Sequence, residues 1–158
     1  MNDTILGCDC SSYSIGCVFL NGEGINPVTI HGGQQNDFDK RVSVMFHEFR
    51  KLLKENKPKA VYIEGAIYLK NVKTTLMIAR VIDMIIANCI DQDVYYQVID
   101  NKSWKKSILG NGKATKEQIA NFAQKKWGET LSTQDLYDAS LIALYGWVRL
   151  ATMKMEAV

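Results

Sequence analysis

The chain is poor in the residue types that build zinc sites and disulfide frameworks. Its two histidines, His31 and His47, stand alone, and no CxxC or Cys/His pair has zinc spacing. The four cysteines (8, 10, 17, 89) do not read as a disulfide framework either. Cys8 and Cys10 lie two apart on a predicted strand and point one way, while Asp9 points the other. They are expected to be buried, reduced thiols of a cytosolic protein. A long hydrophobic run is also missing. The most apolar stretch, Leu76 to Ile90, is 15 residues long and carries Arg80 and Asp83, too short and too polar to span a bilayer. With no signal-peptide pattern, repeat, low-complexity tract or linker, residues 1–158 are expected to form one cytoplasmic domain.

Net charge is only +2, which says little about partners, but its distribution says more. From Lys102 to Lys126 seven lysines (102, 105, 106, 113, 116, 125, 126) face one acid, Glu117. That segment carries +6, so the remainder carries −4. A basic segment set against an acidic site suits a metal-dependent nuclease, with lysines for phosphates and acids for metal.

Residues 4–9, 15–20 and 28–31 read as three short strands joined by the Ser11–Ser14 and Asn21–Gly24 turns, an antiparallel meander. Phe38, Val42, Met45, Phe46, Phe49 and Leu53 recur at threes and fours and predict a helix with one buried face. Pro58 leads into a strand ending at Glu64. The helix from Val72 to Ile90 has almost no polar face, so it must be covered on two sides. The sheet can cover one, and a second subunit is the simplest cover for the other. A fifth strand spans Val94 to Ile99. Thr115 and Gln118 predict a capping box for a helix to Trp127, and Ser132 is the expected cap of the last helix. The order predicts an α/β fold, a mixed five-stranded sheet flanked by helices.

Four acids stand out against this plan. Asp9 ends the first strand, Glu64 ends the fourth, and Asp135 and Asp138 sit three residues apart at the start of the last helix. Carboxylates gathered at one point repel, by roughly 3 kcal/mol per pair at ~6 Å and an effective dielectric of ~20. Divalent cations make such a cluster tolerable, and two of them ~4 Å apart are the usual device for phosphodiester hydrolysis. Asp9 could simply start a turn, and Asp135 could form a capping box with Ser132. Asp138 lies past the first turn, where capping explains nothing. Lys116 follows the Gly110-Asn111-Gly112 turn at a helix start, a place that suits a phosphate, and Lys113 lies nearby. Trp104 and Trp127 read as core or interface residues.

The chain resembles the RuvC-type Holliday-junction resolvases, within the ribonuclease-H-like superfamily. The resemblance rests on Ile5-Leu6-Gly7-Cys8-Asp9 with Ser11, Ser12 and Gly16, on Val61-Tyr62-Ile63-Glu64, on Gly110 to Lys116, and on Asp135-Leu136-Tyr137-Asp138-Ala139. It covers nearly the whole chain and looks closer to a phage-encoded member, acting in the bacterial host's cytoplasm, than to a bacterial housekeeping one. Two departures stand out: Cys10-Ser11 replaces the family's Pro-Gly, and Ile67, followed by Tyr68, stands where an aromatic wedge is common.

The resemblance implies a homodimeric endonuclease that cuts branched DNA, chiefly four-way junctions, and forks or flaps besides. Asp9, Glu64, Asp135 and Asp138 would hold two Mg²⁺, with Mn²⁺ as a substitute, and Lys116 would assist catalysis. Lys113, Lys116 and Tyr68 would contact DNA. A ribonuclease H acting on RNA–DNA hybrids, a non-catalytic junction binder and an actin-like ATPase are the competing readings. The first expects a glutamate on the first helix, the second does not explain four acids, and the third needs two such domains.

Overall fold

The computed structural model describes residues 3–34, 36–67 and 70–157. Its five strands are β1 (Ile5–Cys10), β2 (Ser14–Asn21), β3 (Gly24–His31), β4 (Ala60–Glu64) and β5 (Tyr95–Ile99). They form one sheet in the order β3-β2-β1-β4-β5. The first three strands pair antiparallel, while β4 pairs parallel with both β1 and β5. This is the mixed five-stranded, ribonuclease-H-like plan expected from the order of elements.

Helices cover both faces. On one face α1 (Phe38–Asn56) and α2 (Val72–Asp91) pack over Leu6, Cys8, Val61 and Ile63. On the other, α3 (Asn101–Leu109), α4 (Lys116–Trp127) and α5 (Gln134–Glu156) pack over Ile5, Val18, Ala60 and Tyr62. Strand alternation then sorts the acids. Asp9 shares the parity of Ile5 and Gly7, and Glu64 that of Ala60 and Tyr62, so both turn toward the α5 face. Cys8 turns the other way and lies opposite Cys17. All four cysteines are free thiols.

Close contact sets the depth of α5. Its small residues Ala139, Ala143 and Gly146 face the sheet, and a β-carbon on Gly7 would come within 2.5 Å of the Ala143 nitrogen. Gly146 in turn leaves room for the Tyr62 ring, which would overlap a β-carbon placed there. With no side chain on Gly7, β1 and α5 meet there backbone to backbone.

Three local expectations are corrected. β3 starts at Gly24, earlier than Val28, because the Asn21–Gly24 turn lets it pair with β2 along its whole length. A nine-residue helix, α3, precedes Gly110; Asp100 caps it by accepting from the Ser103 N–H, and Gly110 closes it at φ +76°. Thr133, not Ser132, caps α5 by accepting from the Leu136 N–H at 3.3 Å. The capping box at Thr115 and Gln118 forms as expected. Among the described residues, no helix is long and apolar enough to cross a membrane.

Along α2 the inner face is buried through Val81, Ile82, Ile85 and Cys89. On its outer face Val72, Leu76 and Ile90 are exposed, Leu76 by 59%, and among the described residues nothing covers them.

Candidate active site

The site lies at the carboxyl ends of β1 and β4, where α5 begins. β1 carries Asp9 to this edge, and the parallel β4 carries Glu64 beside it. Gly16 faces Asp9 across the β1–β2 ladder, and its missing side chain admits the Asp135 turn of α5. Asp138 follows one turn further into the helix. With Thr133 as cap, Asp135 stands at the second helical position, so the capping-box explanation with Ser132 falls away.

The electrostatics show that the four acids converge. Burial pushes the Asp9 carboxyl well above its ordinary range, and the charges of Glu64, Asp138 and Asp135 push it further. Asp9 and Asp138 also act on each other directly, which pushes the Asp9 carboxyl up and the Asp138 carboxyl down. Burial likewise raises Asp138, with the Gln134 bond and the Lys105 charge opposing it. Asp135 is raised by burial and partly brought back by Lys116.

Glu64 is the most enclosed of the four, 8% exposed. Burial raises its carboxyl, and two N–H donors work against that: Trp104 Nε1 and Asn101 Nδ2, both to Oε2, the latter at 3.0 Å. Gln134 Nε2 donates to Asp138 Oδ1 at 2.9 Å. These neutral donors orient carboxylates without cancelling their charge.

The chemistry of these side chains suits a divalent cation, although among the described residues no three of them are gathered closely enough in this structure to enclose one. The donors are oxygens only, as hard cations require, and the charges of Glu64, Asp138 and Asp135 each disfavour the ionised form of Asp9. Asp9, Glu64, Asp135 and Asp138 are the residues that would hold it.

The lysines separate. Lys116 opens α4 and acts on Asp135. Lys113 stands exposed in the preceding turn, its backbone N–H donating to Asn111 Oδ1 at 2.9 Å. Lys105, on α3, acts on both Glu64 and Asp138, a role missed in the sequence because α3 itself was. Trp104 and Asn101 were missed as carboxylate partners for the same reason. Trp104 is fully buried, and Trp127 packs against the α5-side core with its Nε1 donating to Ser140 Oγ at 3.1 Å. Tyr68 lies outside the described residues.

Comparisons with known proteins agree on one family. The model of the crossover junction endodeoxyribonuclease RuvC matches residues 5–145. The RuvC crossover junction endodeoxyribonuclease of Thermosipho melanesiensis is 34% identical over 128 residues, covering 73% of this chain and 76% of that protein. Its counterpart in Chloroherpeton thalassium is 29% identical over 126 residues, covering 78% and 68%. Among solved structures, T. thermophilus RuvC in complex with a Holliday junction substrate superposes with a TM-score of 0.80 at 18% identity, covering 94% of this chain and 96% of that one. The fold, the order of its acid-bearing elements and these matches establish that the chain belongs to the RuvC family of crossover junction endodeoxyribonucleases.

Proposed function

We propose that this protein is a Mg²⁺-dependent endonuclease that resolves four-way DNA junctions, working as a homodimer. The observation that carries this reading is the placement of Asp9, Glu64, Asp135 and Asp138 about the start of α5, with all four carboxyls raised by burial and those of Asp9, Glu64 and Asp138 raised further by neighbouring acid charge. Two Mg²⁺ ions, or Mn²⁺, supply Lewis-acid activation of water and neutralise charge on the leaving oxygen when bound. Asp9, on which the charges of the other three act, would hold the ions jointly with Glu64, Asp135 and Asp138.

The rest of the work falls to the chain. Trp104 and Asn101 hold Glu64 in one orientation, and Gln134 does so for Asp138. Lys116 and Lys105 border the carboxylates, where a phosphate must enter, and offset the repulsion between acids and DNA. Lys113 adds a backbone phosphate contact at the α4 entrance. Such contacts position DNA without reading its bases, so selectivity follows branch shape. The uncovered apolar face of α2 supports the dimer, and a two-fold pair of sites suits a junction's paired strands of like polarity.

The test is cleavage of a labelled four-way junction, an RNA–DNA hybrid and a linear duplex, each with Mg²⁺. Paired nicks in the junction with little cutting of the others are expected; preferential cutting of the hybrid would replace this reading with a ribonuclease H.

A further inference from the structure

Tyr13 is an exposed aromatic at the catalytic edge of the sheet that the site described above does not use. It lies in the turn between β1 and β2, four residues beyond Asp9, and is 64% exposed. Of the other large exposed apolar residues described, the aromatic one is Tyr95, at the first residue of β5 and so at the opposite edge.

Tyr13 is braced. The buried Arg41 guanidinium lies against its ring, 4.3 Å from the centroid. Arg41 is itself fixed to this turn, with Nε donating to the Ser12 carbonyl at 3.0 Å and Nη1 to the Asn36 carbonyl at 3.1 Å. The Tyr13 backbone is held as well: its N–H donates to Ser11 Oγ at 3.1 Å, and its carbonyl accepts from the Gly32 N–H at 2.8 Å. Gly32 has no side chain because a β-carbon there would come within 2.7 Å of Arg41 Cβ. An exposed tyrosine thus keeps one ring face on a cation and presents the rest to solvent, with little freedom left to lose on binding.

We infer that Tyr13 is a stacking platform for an unpaired nucleobase at the branch point, and so a determinant of selectivity for branched over linear DNA. This rests on the junction-nuclease reading. At most ~14 Å of chain separates Tyr13 from Asp9. With the reach of the two side chains added, the stacked base still lies within several nucleotides of a phosphate held at the acids. Bases inside a duplex bury their faces on their neighbours. A π-face is free only where stacking is broken, as at a branch. Stacking also tolerates any base, which matches a site that reads shape rather than sequence.

The test uses the full chain in the Asp9→Asn background, so that nothing is cut. Affinity is measured for a four-way junction and for a linear duplex of the same sequence, with Tyr13 intact and as Tyr13→Phe and Tyr13→Ala. In parallel, 5-iodouracil placed at successive branch-point positions maps stacked contacts by photocrosslinking. Tyr13→Ala is expected to weaken junction binding on the order of tenfold, the scale of one lost base stack. Duplex binding should be unchanged, Tyr13→Phe should retain junction affinity, and the crosslink should fall on residue 13. Unchanged junction affinity in Tyr13→Ala, or equal losses on junction and duplex, would overturn the inference. A failure of the Tyr13-intact protein to prefer the junction would instead overturn the junction reading, and it would show before any Tyr13 substitution is compared.

Discussion

A β-carbon on Gly16 would stand 3.0 Å from the carbonyl oxygen of Asp135. Gly16 also faces Asp9 across the β1–β2 ladder, so one absent side chain sets the distance between two of the four acids. The neighbouring atoms are the carbonyl group and Cβ of Asp135 at the start of a helix, and they cannot rotate away as the end of a flexible side chain would.

Gly16→Ala is therefore expected to move the first turn of α5 away from β2. Overpacking of this kind costs about 1–3 kcal/mol of stability. The neighbour must give by a few tenths of an ångström, so the rate should fall, but by less than the ~100-fold of a full ~1 Å misplacement. Thermal denaturation with single-turnover cleavage of a junction checks both. A variant as fast and as stable as the parent would show that the turn has slack.

Trp104→Phe removes the indole N–H from Glu64 and keeps most of the buried volume. Loss of a partner that orients a metal ligand typically costs 10–100-fold in metal affinity or activity. The Mg²⁺ concentration for half-maximal cleavage should rise by about tenfold, with Asn101 left as the only described donor to that oxygen. A metal titration of cleavage reads this directly; an unchanged midpoint would make Trp104 a packing residue alone.

The pattern of acids was legible from sequence because strand ends and helix spacing fix it. Residues 5–9 and 60–64 are apolar up to an acid, and parity alone turns Asp9 toward the α5 face and Cys8 away from it. What supports the acids was not legible. α3 is short and carries lysines at 102, 105 and 106, so no clear amphipathic pattern marks it. Its Asn101, Trp104 and Lys105 reach Glu64 through tertiary packing rather than through any spacing in the chain. The cap of α5 fell one residue from its expected place, since Ser132 and Thr133 are adjacent and equally suited by type.

Stability should depend on pH in a defined direction when no metal is bound. The ordinary Asp value is 3.8, and Asp9, Asp135 and Asp138 are all raised above it, as Glu64 is above its own. Between the ordinary and raised values the folded state binds more protons than the unfolded, so stability falls as pH climbs through that window. The melting temperature of metal-free protein should therefore fall as pH is raised from the ordinary carboxylate values of 3.8 and 4.5 through the raised ones, and level off once all four are ionised. Asp9→Asn should flatten this slope and raise the neutral-pH melting temperature by a few degrees, each kcal/mol being worth roughly 2–4 °C at this chain size. Scanning calorimetry in chelator checks it; a steeper slope in Asp9→Asn would contradict the assignment of repulsion to this cluster.

The open face of α2 yields a size prediction. Light scattering at micromolar concentration should give about twice the 17.8 kDa chain mass. Leu76→Lys, on the exposed part of that face, should return the mass toward the monomer while leaving the circular dichroism spectrum intact. A monomeric parent protein would leave α2 without a partner.

The central claim is that four carboxylates hold the metal that cuts a DNA junction, and Asp9 is the acid that feels all the others. Its most direct test compares wild type and Asp9→Asn on one labelled four-way junction, measuring binding and Mg²⁺-dependent nicking together. Binding should survive nearly intact, because no lysine is lost, while nicking falls to background. An Asp9→Asn protein that still nicks the junction near the wild-type rate would contradict the account.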